Sequence, residues 1–236
     1  MIPALFSSSQ YSVSWRMTAL VLAVLCAGCH RKTEAEWDKE HFDKQVASIR
    51  NGKSDCLYLY DLQEPDALLR GVAGMKEIKG IMFDQMYNVT ALGMEAVSTL
   101  PNLKTVTIGG VKIGDDLLQA LSGSPSLEKL NLSPYLPPTI NVETLLAFPR
   151  LKKLCIDLYM EDNDEGKAET EAWVKNFLEQ MKEATSLDEL ILSGSVFVDR
   201  RKKVALLQKQ LPGCKIKLVR GIGATVGPSL PLEVDL

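Results

Sequence analysis

Three six-residue stretches decide the fold: LKTVTI at residues 103–108, LEKLNL at 127–132 and LKKLCI at 151–156. They start 24 residues apart, and each has apolar residues at its first, fourth and sixth positions. Looser copies of the pattern occupy residues 54–59, 78–83, 187–192 and 213–218. Apolar residues at alternate positions near the end of each copy predict a short strand. A repeat of about 20–29 residues predicts units that stack on one another.

The segments between these strands predict helices in step with them. Apolar pairs three residues apart recur at Leu69/Val72, Met94/Val97, Leu118/Leu121, Val142/Leu145, Leu178/Met181 and Val204/Leu207. Proline stands two residues before the first leucine of three repeats, at Pro101, Pro125 and Pro149. Because proline has no N–H to donate, we expect it to end the preceding helix. Alternating strands and helices predict an α/β fold.

The L-x-x-L-x-L pattern resembles the leucine-rich-repeat family over residues 54–220. This resemblance implies a solenoid with parallel strands on its concave face and short helices on its convex face. Members of the family usually carry Asn or Cys three residues after the last leucine of the triple. Here that position holds Leu62, Met86, Val111, Tyr135, Tyr159 and Ser195. We therefore expect degenerate repeats whose loops pack through apolar contacts.

A stack of repeats must be sealed at its ends, because each repeat buries its apolar face only against its neighbours. Residues 33–50 are the candidate N-terminal seal. They begin with a capping-box pattern at Thr33 and Glu36, and Asn51-Gly52 follows them. Their apolar side comprises Trp37, Phe42, Val46 and Ile49. A loose amphipathic linker is the alternative, and the tail, residues 221–236, is either a short cover or disordered.

The N-terminal residues resemble a bacterial lipoprotein signal. Residues 17–28 are an uncharged run, mostly Leu, Val and Ala, preceded by Arg16. The run is too short for a bilayer span, which needs about 20 apolar residues, and fits a signal-peptide core. The stretch Cys26-Ala27-Gly28-Cys29 is similar to a lipobox, although Cys26 stands where leucine is usual. A simple secretory signal and an uncleaved anchor are the alternatives.

The lipobox resemblance implies cleavage before Cys29 and acylation of that cysteine, with palmitate among the acyl chains. The predicted divisions are a signal peptide (1–28), a lipidated tether with a capping helix (29–53), the repeat domain (54–220) and the tail (221–236). Translation starts at Met1 or Met17. The predicted location is the cell envelope, and His30 after the lipidated cysteine weakly favours the outer membrane over the inner one.

The remaining cysteines, Cys56, Cys155 and Cys214, fall on or beside the first, fifth and last strands. Stacked strands lie about 4.8 Å apart, so the first and last are roughly 29 Å apart. A disulfide allows at most about 7 Å between Cα atoms. We therefore expect three free, packed thiols.

Few residues suit catalysis or ligand chemistry. The two histidines, His30 and His41, both precede the repeats. The glycine-rich stretch 221–227 lacks dinucleotide-loop spacing. The acidic stretch 161–166 lacks a calcium loop's final Glu, because Ala172 stands there. No enzymatic activity, metal, cofactor or small-molecule substrate is therefore predicted.

That acidic stretch lies where the repeat lengthens from 24 to 36 residues. It is predicted as a solvated loop, which either contributes to binding or is merely tolerated. The net charge of −3 gives no sign of a nucleic-acid surface.

The candidate binding residues come from side-chain alternation, which turns the leucines inward and their neighbours outward. The middle outward position reads Tyr58, Met82, Thr107, Asn131, Cys155, Ile191 and Lys217. The next outward position reads Tyr60, Asp84, Gly109, Ser133, Asp157, Ser193 and Val219. We select Tyr58, Tyr60, Met82, Asp84, Thr107 and Asn131, because exposed Tyr and Met are typical of protein interfaces. The alternative is that the N-terminal helix covers these residues.

The sequence thus predicts a membrane-anchored, non-catalytic scaffold that binds an unidentified protein in the cell envelope. One alternative is a structural or assembly component of the envelope without a discrete ligand. An unrecognised hydrolase is the other.

Overall fold

The computed structural model describes residues 32–110, 113–134, 139–158, 164–198, 200–219 and 233–234. Within these ranges, seven strands pair side by side in sequence order, all in parallel. They are β1 (Cys56–Tyr60), β2 (Gly80–Asp84), β3 (Thr105–Gly109), β4 (Lys129–Ser133), β5 (Lys153–Asp157), β6 (Glu189–Ser193) and β7 (Lys215–Val219). Each strand contains the centre predicted from its apolar triple, so the predicted positions and parallel order are confirmed.

The pairing register aligns the inward-pointing residues in two rows. One row is Leu57, Ile81, Val106, Leu130, Leu154, Leu190 and Ile216. The other row is Leu59, Phe83, Ile108, Leu132, Ile156, Leu192 and Leu218. No residue of either row is more than 5% exposed. Because burying one such side chain contributes roughly 1.5–3 kcal/mol, contact between neighbouring repeats is the main stabilising interaction.

A helix precedes the first strand and helices follow the first six strands; the predicted apolar pairs lie on them, except Val72 and Met181, which come just after a helix. The helices are α1 (Glu34–Arg50), α2 (Pro65–Arg70), α3 (Ala91–Ser98), α4 (Asp115–Ser122), α5 (Val142–Leu146), α6 (Asp164–Gln180), α7 (Ser195–Val198) and α8 (Arg201–Gln210). Every residue of the six predicted pairs is buried. α3, α4 and α5 each end shortly before Pro101, Pro125 or Pro149, as predicted.

α1 forms as predicted, and its capping box is present. The Thr33 hydroxyl accepts from the Glu36 N–H at 3.3 Å, and the Glu36 carboxylate accepts from the Thr33 N–H at 2.8 Å. Phe42, Val46 and Ile49 are buried. Trp37, predicted on the same side, is instead 59% exposed. It lies five residues before Phe42, about 140° around the helix, and so misses the buried stripe.

The extra residues after β5 form a helix rather than only a loop. α6 begins at Asp164, so the loop prediction is wrong for residues 164–166, and residues 161–163 lie outside the described ranges. The helix and the 3-10 helix that continues it (Met181–Glu183) have a buried stripe with the spacing i, i+3, i+4 and i+7, at Val174, Phe177, Leu178 and Met181. Phe177 also stacks on Trp173, with ring centroids 4.9 Å apart. This apolar stripe explains why the insertion is helical.

An eighth strand corrects the prediction of a wholly parallel sheet. β8 (Glu233–Val234) pairs antiparallel with Leu218 and Val219 of β7. It supplies hydrogen-bonding groups to an edge strand that would otherwise be open. The other residues of the tail, including the glycine-rich stretch 221–227, lie outside the described ranges.

The apolar positions that replace the usual loop Asn or Cys behave as predicted in the first two repeats. Leu62 and Met86 are both buried, and the Leu62 N–H lies 3.5 Å from the Met86 sulfur. Ser195 is exposed, so the prediction of apolar packing is wrong there, where a polar residue begins α7. Val111, Tyr135 and Tyr159 lie outside the described ranges.

Leu130→Asp should unfold the protein, because Leu130 is 0% exposed and the new carboxylate would have no partner in the core. Leu130→Ala should lower the free energy of unfolding by about 2–5 kcal/mol. Urea denaturation followed by circular dichroism measures both changes. The matched control is Asn131→Ala on the open side of the same strand, with an expected loss of about 1 kcal/mol. Equal losses for Leu130→Ala and the control would contradict the stacked core.

Candidate protein-binding face

The first four strands present one open surface, the sheet face, formed by Tyr58, Tyr60, Met82, Asp84, Thr107 and Asn131. The register places Tyr58, Met82, Thr107 and Asn131 next to one another in that order. It also places Tyr60 beside Asp84. The two tyrosines are exposed and the other four residues are half-buried. The structure therefore brings all six predicted residues onto one surface.

The two tyrosine rings are held in place by their hydroxyl groups. The Tyr58 hydroxyl donates to Asp84 Oδ2, and the Tyr60 hydroxyl donates to Gln85 Oε1, each at 3.1 Å. Partial burial, and then the hydrogen bond to Asp84, raise the pKa of Tyr58. Even so, the two residues remain 37% and 49% exposed. They present fixed aromatic surface, which a partner can contact with little further loss of side-chain freedom.

α1 contacts the backbone of β1 and leaves both rings accessible. Gln45 Nε2 donates to the Tyr58 carbonyl at 2.7 Å, and the Tyr58 N–H donates to Gln45 Oε1 at 2.8 Å. Two residues before Tyr58, the Cys56 backbone bonds to Ser54. The Ser54 hydroxyl accepts from the Cys56 N–H at 3.2 Å and donates to the Cys56 carbonyl at 3.1 Å. Side chains thus satisfy backbone groups along the outer edge of β1.

A hydrogen bond joins the side chains of Asn131 on β4 and Thr107 on β3. Asn131 Nδ2 donates to Thr107 Oγ1 at 2.9 Å, and both residues are half-buried. This pair forms a small polar area beside the tyrosines and Met82.

Beyond β4, three predicted outward positions are buried instead, while Asp157, Ile191 and Lys217 stay half-buried. Cys155, Ser193 and Val219 are buried, at 8%, 0% and 1% exposure. α7 packs against β6 and β7, and β8 pairs with Val219, while the short Cys155 side chain lies between Asn131 and Ile191. Burial, and then the charge of Asp157, raise the pKa of Cys155 to about 12.

The three cysteines that the structure describes, Cys56, Cys155 and Cys214, are free thiols, as predicted. Cys155 and Cys214 are buried, whereas Cys56 is exposed, so the prediction of packing is wrong for Cys56. Cys56 is the first residue of β1, and no other strand in the described ranges pairs with the outer side of β1 to shield it.

Lysine and glutamate side chains pair near the N-terminal ends of the strands. Lys104 lies 2.6 Å from Glu128, while Lys153 and Lys217 lie 3.2 and 3.0 Å from Glu189. Hydrogen bonds from Lys104 and Lys217 lower the pKa of Glu128 and Glu189 respectively. These partly exposed pairs contribute little stability, but they neutralise charge on this side of the sheet.

A cleft of about 270 Å³ opens between α1 and β1 beside the tyrosines. Its walls are Asp38, His41, Phe42, Gln45, Tyr58, Leu59, Tyr60 and Leu62. Asp38, His41 and Gln45 were not among the predicted site residues. Their spacing of three and four residues places them on one helical face, which is the available sequence signal. That signal locates a site only once α1 is known to lie along β1.

Two residues at this end of the sheet adopt a left-handed backbone conformation without being glycine. Asp61 follows β1 with a φ of 44°, and Gln85 follows β2 with a φ of 54°. Two later repeats have glycine directly after the strand, Gly110 after β3 with a φ of 71° and Gly194 after β6 with a φ of 111°. This conformation costs a residue with a Cβ roughly 1–2 kcal/mol. The first two repeats therefore keep polar side chains where glycine would be less strained.

Among the residues that the structure describes, no group of three or more His, Cys, Asp or Glu side chains is placed to hold a metal ion. No helix in the same ranges is long and apolar enough to cross a membrane. Cys29, the predicted lipidation site, precedes the described residues.

No protein-family model matches the sequence, and no curated protein matches it either. One solved structure similar to this chain is actin-binding site 2 of leiomodin-1, with 16% sequence identity and a TM-score of 0.37. The alignment covers 63% of this chain and 88% of that one. A similarity this distant carries no inference about what the chain does.

Gln45→Ala should lower the free energy of unfolding by about 1–3 kcal/mol, because it removes both hydrogen-bond partners from the Tyr58 backbone. For a domain of this size, that corresponds to a melting temperature lower by about 2–4 °C per kcal/mol. Gln119→Ala, at an exposed position of α4, is the control and should change stability by less than about 0.5 kcal/mol. Equal melting temperatures for the two variants would show that Gln45 does not seal the edge.

Proposed function

We propose that this chain is a leucine-rich-repeat solenoid that acts as a non-catalytic, protein-binding scaffold, anchored by a lipid in the cell envelope. The parallel sheet in sequence order, with helices between the strands, supports the solenoid. So does the 24-residue step that joins β3, β4 and β5 in register. In this proposal the sheet lines the concave side and the helices lie on the convex side.

One observation carries the binding proposal: Tyr58 and Tyr60 remain exposed on a sheet whose backbone is hydrogen-bonded on both sides of β1. Aromatic residues on a rigid support are typical centres of protein interfaces. Met82 adds an adaptable apolar contact beside Tyr58, and Asp84 adds a charge beside Tyr60. The sheet face therefore combines apolar area with fixed polar groups.

The sequence supports the anchor through the apolar run before Cys29 and the small residues at Ala27 and Gly28. α1 begins five residues after Cys29, at Glu34. A fully extended linker of that length spans roughly 18 Å. In the proposed arrangement, the start of α1 therefore lies within that distance of the lipidated cysteine.

The alternative of a structural component that assembles edge to edge is less favoured. Gln45 and Ser54 satisfy backbone groups at the edge of β1, and β8 pairs with β7 at the opposite edge. Closed edges disfavour growth of the sheet from one copy to another. Binding through the sheet face requires no open edge.

Cys29→Ser should abolish labelling by a radioactive fatty acid and release the protein from membranes, because serine lacks the sulfur to which the lipid is attached. Metabolic labelling followed by membrane fractionation checks both results. Cys56→Ser is the matched control and should change neither, since Cys56 lies on β1. Labelling that persists in the Cys29→Ser variant would contradict the proposal of a lipid anchor at this residue.

Tyr58→Ala with Tyr60→Ala should abolish a protein contact made through the sheet face. A photo-crosslinking amino acid that replaces Thr107 should form a discrete covalent adduct with the partner protein in cells. The same amino acid in place of Leu206 on α8 should form none. The double variant should lose the Thr107 adduct while its melting temperature falls by no more than about 4 °C.

Tyr87→Ala, at an exposed tyrosine after β2, is the control and should keep the adduct. A Thr107 adduct that survives the double variant would contradict the assigned face. Adducts that form equally at Leu206 would show that contact with the sheet face is not specific.

A further inference from the structure

We infer that the exposed side of α8 rests on anionic phospholipid headgroups of the membrane that holds the protein. This inference rests on the lipid anchor of the proposed function and adds a second membrane contact at the far end of the sheet. We call this surface the basic face, and it consists of Arg201, Lys202, Lys203, Leu206 and Lys209.

Positive charge is concentrated in and around α8. Residues 200–217 contain seven Lys or Arg and no Asp or Glu, whereas the whole chain has a net charge of −3. The four cations of the basic face are all exposed. None of them forms an ion pair with an acidic residue that the structure describes. Their neighbours Arg200 and Lys217 do, with Glu171 at 3.7 Å and Glu189 at 3.0 Å. The charge of the basic face is therefore available to an external anion.

Leu206 places apolar surface among these charges. It is 58% exposed, and the residues one helical turn away are Lys202, Lys203 and Lys209. A leucine surrounded by lysines fits the boundary between headgroups and acyl chains, where interfacial helices insert apolar side chains while their cations meet anionic lipid. A nucleic-acid backbone would match the charges but leave Leu206 without an apolar contact.

Contacts on the other side of α8 hold the basic face in place. Val204 and Leu207 are buried in the core. Gln208 accepts from the Ile216 N–H at 2.9 Å and donates to the Cys214 carbonyl at 2.8 Å. At about 100° per residue, the basic face covers about 200° of the helix, turned away from the core. Lipid binding therefore requires no rearrangement of the helix.

The tether permits this second contact only when the stack of repeats lies along the membrane. The first and seventh strands are roughly 29 Å apart, whereas the linker from Cys29 to α1 reaches roughly 18 Å. Both α1 and α8 begin at the edge of the sheet where the strands end. Asp38, near the start of α1, accepts from the Gln63 N–H beyond β1, and α8 runs from β6 back to the start of β7. One membrane surface can therefore meet both.

Attraction to anionic lipid is specific to α8 among several helices that begin at this edge. The first turn of α8 has no acidic residue. The first turns of α1, α2, α4 and α5 contain Glu34, Glu36, Asp66, Asp115, Asp116 and Glu143. An anionic surface therefore attracts the last repeat and repels the earlier helix starts.

The basic face supplements the lipid and does not replace it. Each Lys or Arg close to an anionic surface strengthens binding by about fivefold. Stable anchoring normally takes two signals, such as an acyl chain and a polybasic patch. Release of the Cys29→Ser variant is therefore compatible with a membrane contact at α8.

The test places a fluorescent amino acid at Gln210, an exposed position of α8 one turn from Leu206. The lipidated protein is reconstituted into vesicles whose phospholipids carry a nitroxide quencher. Quenching should be at least threefold stronger in phosphatidylcholine vesicles with about 30% phosphatidylglycerol than in pure phosphatidylcholine. Raising the salt concentration from 50 to 500 mM should remove this difference, because salt screens exposed charges.

The variant Arg201→Gln, Lys202→Gln, Lys203→Gln, Lys209→Gln should be quenched equally in the two kinds of vesicle. Glutamine favours a helix about as well as lysine, so the melting temperature should stay within about 2 °C of the parent value. The matched control removes four exposed cations elsewhere, with Lys53→Gln, Lys76→Gln, Arg150→Gln and Lys152→Gln, and should keep the threefold difference. The fluorescent amino acid at Thr107 on the sheet face should show no such difference.

Equal quenching at residue 210 in the two kinds of vesicle, or equal effects of the two fourfold variants, would overturn the inference. A discrete protein adduct from the crosslinking amino acid at Leu206 would also overturn it, by assigning the basic face to a protein partner.

Failure here is distinct from failure of the proposed function. If the protein floats with neutral vesicles but residue 210 does not respond to anionic lipid, the anchor stands without the second contact. If the protein does not float with neutral vesicles, the anchor fails. Stronger quenching at residue 210 in anionic vesicles would then still support the basic face. The Thr107 adduct tests the sheet face independently of both.

Discussion

In the parallel sheet, the backbone N–H and C=O groups of each interior strand bond to the strands before and after it. The two outermost parallel strands, β1 and β7, each have a parallel neighbour on one side only. Unpaired N–H and C=O groups along an edge invite pairing with other chains. The protein meets this constraint with a glutamine at each end. Gln45 bonds both backbone groups of Tyr58, while Gln208 accepts from the Ile216 N–H at 2.9 Å and donates to the Cys214 carbonyl at 2.8 Å. The helices that carry these glutamines, α1 and α8, are thereby fixed against the sheet.

The position of α1 in turn determines what the sheet can present to a partner. Because Gln45 forms hydrogen bonds with the backbone of β1, the helix lies beside this strand and the tyrosine rings remain exposed. The cleft is the space left between the two elements. At the opposite end, α7 and β8 lie over or beside the last strands, and the equivalent positions Ser193 and Val219 are buried. The outward positions of the second half are therefore partly covered, although Asp157, Ile191 and Lys217 stay half-buried.

Strand positions could be predicted from the sequence because the apolar triples depend on local spacing alone. Leu130 and Leu154 stand 24 residues apart in the chain and become paired neighbours in the sheet. The seal and the cleft could be predicted only in part. The capping box at Thr33 is a local pattern, but the contact from Gln45 to Tyr58 depends on how a helix meets a strand. Burial of Val219 depends on β8, whose two residues carry no repeat signal.

The pairing of Gln45 with Tyr58 has a consequence for the order of folding during synthesis. The two residues are only 13 apart, so they can meet as soon as about the first quarter of the chain has left the ribosome. Each later repeat finds its partner in the repeat just completed, and contacts this close in sequence form rapidly. A chain elongated in this way adds strands in one direction, because its first edge closes before the second strand arrives. The nascent protein therefore exposes a single growing edge until α8 and β8 complete the sheet.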